Sequence, residues 1–347
     1  MGSTISILNS LPPLQDLLHP TPETFTQILS IWQYFAPFTI FIWLTTWFPM
    51  GKTSLKSSIF NIPGHLAWSA MELMAPLNLI HVMQALAPKL NTDLRSLPLA
   101  NQVVAALYLI HYANRAVISP LFAAPSMSPI HASIAVSGLT FNWFTSTCLA
   151  AWLLGYHIPV TGYRTDGFGD TSSTRPVISE YLPYLGIVLF FLGMAGNIIS
   201  ERTFFRLRRE EADKLHAQKD NHAKDAANKY SKVYVIPPAK GLFRFILYPH
   251  YVFEWLEWTG FVLVGTAVYP ASGAVAPEMS LAPWLTPAAA LAQRLRVPLP
   301  LAAVVFVVNV VTSMVPQARL GMKWYLSRFG KDKIAGRGAV VPFSGWL

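Results

Sequence analysis

Charge is what this 347-residue chain has least of: Asp, Glu, Lys and Arg make up 12% of it, against 53% hydrophobic residues. A soluble domain carries about 25% charged residues, so half of the usual solvating surface is missing. That excludes a disordered chain and argues against an ordinary water-soluble enzyme. Cysteine is nearly absent, and the single Cys148 excludes an intrachain disulfide and any cysteine-based zinc site. Acidic residues are outnumbered by basic ones, 17 to 26, for a net charge of +9. In so apolar a chain the excess points to loops facing an anionic leaflet, or to an anionic cofactor, and not to nucleic acid.

Common catalytic signatures are missing as well. No G-x-G-x-x-G follows a strand, and the nearest stretch, Gly167-Phe168-Gly169-Asp170-Thr171-Ser172, lacks the third glycine. There is no Walker loop, no H-E-x-x-H and no G-x-S-x-G. The nine histidines show no metal-ligand spacing, so no metal is expected. No soluble βαβ stretch is long enough for a Rossmann domain, and no internal repeat signals an inverted-repeat transporter.

What is present is a series of apolar windows. About 20 apolar residues cross roughly 30 Å of hydrocarbon, and seven such windows fall at about 26–48, 66–88, 99–122, 130–155, 179–201, 249–269 and 297–316. The expected fold is therefore all-α: a multi-pass membrane bundle of seven transmembrane helices over 26–347, preceded by a lumenal segment, 1–25. Residues 280–293 are apolar but short and proline-punctuated, which suggests an interfacial or re-entrant piece. The opening MGSTIS lacks a signal peptide's basic start but fits the loose myristoylation pattern; beside seven spans a lipid anchor would add little.

Basic residues set the orientation. Lys52 and Lys56, eleven between Arg202 and Arg244 and six from Arg319 to Arg337 fall on one side, against six on the other. The positive-inside rule puts that richer side, including the C-terminus, in the cytosol. The long loop between spans five and six, about 203–248, carries a mixed-charge stretch of good helix formers that reads as a solvated extension of span five.

Polar groups at membrane depth are costly and so become functional candidates. Glu72 sits mid-span in AWSAMELMAPL, where the neutral, hydrogen-bond-donating form is favoured. Span three carries His111, Tyr112 and Arg115, with 111 and 115 on one face. In span five Asn197, Glu201 and Arg208 fall within a ~40° arc of one helix. That face offers a guanidinium for a phosphate, and an amide and carboxylate for a ribose or carboxamide. For Arg206, Arg208 and Arg209 alike, a snorkelling side chain is the alternative reading. Span six opens PHYVFEWLEWTG, where His250, Glu254 and Glu257 stack on one face with Trp258 alongside, so the two carboxylates need a cationic or hydrogen-bonding partner.

Five segments, in order, resemble the steroid 5α-reductase family: AWSAMEL, IHYANRAVISPLF, GMAGNIISERTFFRLRR, YVIPPAKGLFRFILYPHYVFEWLEWTGF and KWYLSRFGKDKIAGRGAVVPF. The likeness covers about residues 60–347, with the signature region over 179–347. It implies a membrane reductase of the endoplasmic reticulum that takes NADPH from the cytosolic side. The reaction implied is reduction of a carbon–carbon double bond conjugated to a carbonyl in a lipophilic steroid- or terpenoid-like substrate. By the same resemblance Glu72 and Tyr112 would bind the substrate carbonyl and assist protonation. Arg115, Asn197, Glu201, Arg208, Tyr234, Glu254, Trp258 and Tyr325 would line the dinucleotide pocket, with His250 among them and Glu257 supporting the wall from behind.

The chain also departs from the family's pattern. His250 stands at a usual asparagine, as in the polyprenol-reductase branch, and Glu201 stands at an aspartate. Gly321 replaces a tail histidine, the loop between spans five and six is longer than usual, and FGKDK lacks the family's Tyr-Pro. LFAAPSMSP lacks the basic residues that relatives direct at cofactor phosphates. These leave open NADPH against NADH, the substrate, and the oligomeric state. Polyprenol or 2-enoyl-CoA reduction on the same fold is a rival reading. A membrane methyltransferase of the isoprenylcysteine type is another, although PHY does not follow its R-H-P-x-Y order. A receptor or transporter would leave the carboxylates of span six unexplained.

Overall fold

A computed structural model describes residues 12–44, 51, 55, 57–166, 175–218, 229–231, 233–271 and 275–345. The MGSTIS start, the glycine pair 167–169, Lys52, Lys56 and residues 219–228 of the long loop lie outside the described residues. Each apolar window is helical over most of its described residues. Helix α1 (Pro22–Trp32) begins at Thr21, whose hydroxyl accepts from the Thr24 amide, with Pro22 pre-set for the first turn. It continues through two short turns, Phe35–Phe38 and Ile40–Leu44. Then come α2 (Gly64–Leu86), α3 (Leu99–Tyr112), α4 (Ala132–Leu153), α5 (Ile178–Ala217), α6 (Pro249–Gly265), α7 (Thr286–Leu295), α8 (Leu301–Phe329) and α9 (Lys331–Ile334). Among the described residues, the β structure comprises a two-residue antiparallel pair, β1 (Asn61–Ile62) with β2 (Ile130–His131), and isolated bridges.

Three stretches, Pro22–Leu44, Ile178–Ala217 and Leu301–Phe329, are long and apolar enough to cross a membrane. The remaining windows fall short for physical reasons. In α2, His65, Glu72, Asn78, His81 and Gln84 dilute the hydropathy, and α6 has only 17 residues. The apolar piece at 280–293 becomes α7, whose 10 residues reach about 15 Å, half a bilayer core. Forty residues make α5 roughly 60 Å long, so it outruns that core and carries its charged end, 206–214, beyond it.

Helix α3 does not stop at Tyr112. It widens into a π-helix over Ala113–Ala123, with the Ala124 amide donating to the Ser119 carbonyl five residues back. Pro120 lacks the amide that an α-helical ladder would use, so the wider winding keeps the chain helical past it. Arg115 and Ser119 lie in this stretch.

Interhelical polar bonds fix the bundle, as expected where apolar neighbours give little orientation. Asn78 Nδ2 donates to Ser146 Oγ and Thr147 Oγ1, both at 2.8 Å, joining α2 to α4. Asn101 Nδ2 donates to the Leu153 carbonyl at 2.8 Å and Asn309 Nδ2 to the Trp32 carbonyl at 3.0 Å. The core centres on Tyr108, Trp258, Phe261 and Phe306, all fully buried.

Helices α5 and α6 meet backbone to backbone. A Cβ on Gly186 would stand 2.6 Å from the Gly260 carbonyl oxygen, and one on Gly193 would stand 2.6 Å from Glu257 Cα. Small residues here set the distance between the two helices that carry Asn197 and Glu254. Gly193→Val forces α5 off α6, at a cost of about 1–3 kcal/mol or more. Thermal unfolding in detergent should show a clear fall in Tm; an unchanged Tm would mean that the close approach contributes nothing.

Candidate active site

Two cavities lie inside the bundle and share a wall made by Trp68, Arg115 and Tyr251. The first, of about 420 Å³, is apolar over most of its lining and is closed by α1, α2, α3, α4, α6 and α8. Glu72 and Tyr112 open into it together with His111, Asn142, Glu254 and Trp258. The second, of about 310 Å³, is lined by Ser119, Ser126, Glu201, Arg208, Tyr234, His250 and Tyr325 among others.

Arg115 joins the two. Its Nε lies 3.5 Å from Glu72 Oε1 and its Nη1 3.6 Å from Glu201 Oε1, while its guanidinium carbon stands 4.6 Å over the Trp68 ring. Glu72 belongs to the first cavity and Glu201 to the second. Trp68 and Glu72 share a face of α2 at i, i+4. Ser119, one turn past Arg115, donates to the other oxygen of Glu201.

Tyr112 is aimed by Asn142. The Asn142 side chain donates to the Met71 carbonyl at 2.7 Å, which turns its own oxygen toward Tyr112, and the phenol donates to that oxygen at 3.1 Å. Beside it His111 Nδ1 donates to Glu257 Oε1 at 2.8 Å, and Glu257 is 1% exposed. That bond provides the partner that the carboxylates of α6 need. Trp258 packs 4.3 Å from the His111 ring and faces the first cavity.

The polar face of α5 divides. Asn197 lines neither cavity: its amide donates to the His250 carbonyl at 3.0 Å and to Glu254 Oε2 at 3.1 Å, clasping α5 to α6 and holding Glu254 toward the first cavity. Glu201 faces Arg115. Arg208 ties two loops across the second cavity: Nη1 donates to the Ser126 carbonyl at 3.1 Å, Nη2 to Ser126 Oγ at 2.6 Å and Nε to the Val233 carbonyl at 3.2 Å. Ser126 Oγ in turn donates to the Tyr230 carbonyl at 2.8 Å.

The structure thus gathers Glu72, Tyr112, Arg115, Glu254 and Trp258 around one cavity. Around the other it gathers Arg115, Glu201, Arg208, Tyr234, His250 and Tyr325. Sequence reasoning missed Asn142, although the rule that singled out Glu72, a polar group inside an apolar run, applies equally to FNWFTST. It also missed Trp68 and Tyr251, aromatic residues in chain rich in them, and Ser119 and Ser126, which carry little signal.

The tail is fastened to the segment that follows Val235, a residue of the second cavity's lining. Arg337 is 3% exposed and donates to four carbonyls: Nη1 to Pro237 at 2.8 Å and Phe243 at 3.2 Å, Nε to Ile334 at 2.8 Å and Nη2 to Lys333 at 3.0 Å. Loss of water around it lowers its guanidinium below the ordinary range.

The chain is similar in sequence to several known proteins. Residues 129–274 match the family model for 3-oxo-5-alpha-steroid 4-dehydrogenase. The chain is 28% identical over 306 residues to an uncharacterized protein of Schizosaccharomyces pombe, covering 85% of this chain and 90% of that one. It is 27% identical over 242 residues to steroid 5-alpha-reductase DET2 of Arabidopsis thaliana, 68% of this chain and 67% of the relative. It is 26% identical over 225 residues to 3-oxo-5-alpha-steroid 4-dehydrogenase 1 of Bos taurus, 63% of this chain and 71% of the relative. These matches support the steroid 5α-reductase family for this chain. It is an oxidoreductase acting on a CH–CH group.

Hydrogen bonds from a charged donor are worth about 1.5–3 kcal/mol each. Arg337→Ala should therefore free the segment 237–243 and speed tryptic cleavage after Lys240 and Arg244 by about tenfold or more. Cleavage at the wild-type rate, followed by mass spectrometry, would show that the four bonds do not hold this loop.

Proposed function

We propose that the protein is a membrane-embedded, NADPH-dependent reductase of a carbon–carbon double bond conjugated to a carbonyl in a lipophilic, steroid- or terpenoid-like substrate. We further propose seven spans in the endoplasmic reticulum membrane with the C-terminus in the cytosol. The observation that carries the reading is the pair of cavities meeting at Arg115, both mostly apolar: one holds the Glu72 and Tyr112 proton-bearing groups, the other Arg208, serine hydroxyls and aromatic rings. Hydride transfer requires the lipid and the nicotinamide to touch, and the junction of the two cavities is where they would meet.

The residues of the second cavity fit a dinucleotide. Arg208 keeps N–H groups beyond its three loop bonds, Ser126 and Glu201 suit ribose hydroxyls, and Tyr234, His250 and Tyr325 offer ring faces. When bound, the nicotinamide supplies a hydride. Glu72 and Tyr112 would grip the carbonyl oxygen of the substrate and hold the negative charge that grows on it in a water-poor cavity. Arg115 is one cation between two carboxyl groups. It balances one of them, which leaves the Glu72 carboxyl able to carry and donate a proton. Asn142 holds the Tyr112 hydroxyl in line, and a proton reaches the α-carbon from this pair. Asn197 acts through Glu254.

In detergent, the purified protein should oxidise NADPH when given a 4-ene-3-keto steroid or related enone, forming a product two hydrogens heavier. Glu72→Gln and Tyr112→Phe should cut kcat by about 10²–10³-fold with little change in the KM for NADPH. Arg208→Ala should raise that KM by about tenfold. Methyl transfer from S-adenosylmethionine without NADPH oxidation would overturn the reading in favour of a methyltransferase. Equal loss of cofactor affinity in all three variants would overturn the division of roles.

A further inference from the structure

Position 321 on α8 interrupts an otherwise side-chain-bearing face with a glycine, and the gap is filled from another element. Tyr248 immediately precedes α6, and its amide donates to the Ala339 carbonyl at 2.9 Å, which fixes its backbone against the tail. Its side chain, 6% exposed, lies across α8 with the hydroxyl seated where a side chain at 321 would begin. A Cβ built on Gly321 overlaps that hydroxyl oxygen and stands 2.7 Å from the ring carbon bearing it. No residue but glycine fits at 321 while Tyr248 holds this rotamer.

The seated ring is part of the second cavity. Tyr248 and Tyr325 both line it, and their ring centroids are 6.1 Å apart; Tyr325 lies one turn beyond Gly321 on α8. On its other side Tyr248 stacks on Tyr251 with centroids 5.5 Å apart and planes 26° apart, and Tyr251 belongs to the wall that both cavities share. His250 packs against both tyrosines, 5.7 Å from Tyr248 and 4.7 Å from Tyr251. A row of rings thus runs from α8 to the shared wall, and Tyr248 is its middle member.

We propose that Tyr248, held in the notch that Gly321 leaves in α8, is a cofactor-binding residue of this enzyme whose position, and with it the affinity for the dinucleotide, is set by the absence of a side chain at 321. This rests on the reading of the second cavity as the dinucleotide chamber. The part of the ring that lines the cavity offers an aromatic surface for a base or nicotinamide ring, while the hydroxyl anchors it in the notch. A methyl group at 321 ejects the ring from the notch, so Gly321 acts on the cofactor only through Tyr248.

The test is a cycle of full-length variants in detergent: Tyr248→Ala, Gly321→Ala and both together, each measured for the KM for NADPH, kcat, and NADPH binding by quenching of tryptophan fluorescence. Each single change should raise the KM and the dissociation constant by about tenfold, with kcat within about twofold. The double variant should be no worse than Tyr248→Ala alone, because the ring that the methyl group displaces is already gone. A fall in Tm in Gly321→Ala that Tyr248→Ala reverses reports the notch itself and keeps folding separate from binding. Wild-type affinity in Gly321→Ala, or effects that simply multiply in the double variant, would overturn the proposal while leaving the dinucleotide chamber standing. Failure of the wild-type protein to bind any nicotinamide nucleotide would overturn the chamber reading and this proposal with it.

Discussion

The arrangement turns on a buried guanidinium. Taking a charge out of water costs several kcal/mol unless partners take over from the solvent, and Arg115 has three: Glu72, Glu201 and the face of Trp68. These partners come from α2, α5 and α2 again, so satisfying one charge fixes the relative placement of three helices. The π-winding of α3 is what delivers Arg115 and Ser119 to that point. An ordinary α-helical turn would rotate each later residue by a different amount. Pro120 would also interrupt the ladder within the same stretch.

The same charge also stands between two chambers. Glu72 faces the first and Glu201 the second, and neither carboxyl group has Arg115 to itself. Around the first chamber the polar side chains are held by bonds to other side chains or to helix backbone: Tyr112 by Asn142, His111 by Glu257, Glu254 by Asn197. Such groups keep a fixed aim, which a reaction at a single carbonyl requires. The second chamber takes about half of its wall from segments between helices, 124–128 and 233–235 among them, and two arginines bond to backbone carbonyls there, Arg208 at Ser126 and Val233 and Arg337 at Pro237 and Phe243.

Much of this was legible in the sequence because membrane depth makes polar residues conspicuous. Each apolar window is helical over most of its described residues, and Glu72 of span two converges with Tyr112 and Arg115 of span three. The legible part ended where the signal depends on partners. A helical wheel places Asn197, Glu201 and Arg208 on one face, but it cannot say that Asn197 turns into the α5–α6 contact, because the glycines that bring α6 so close act across sequence. Asn142 was readable by the rule that found Glu72. Hydropathy alone also understates the bundle: the polar groups of α2 dilute its apolar run, while α6 is short of a full span at 17 residues.

Gly321 shows why a missing side chain is not by itself a missing contact. Judged position by position, a glycine where the family resemblance leads one to expect a histidine removes one side chain from the proposed cofactor chamber. Judged as volume, the same glycine makes room for the phenol of Tyr248, and the chamber keeps an aromatic, hydrogen-bonding wall at that place. A close-packed interior leaves little space empty, so a lost side chain is answered by whichever neighbour can reach. Here that neighbour stands at the start of α6, next to His250 and Tyr251. The cofactor end of the protein is therefore better understood from which groups share its volume than from which residues match a pattern.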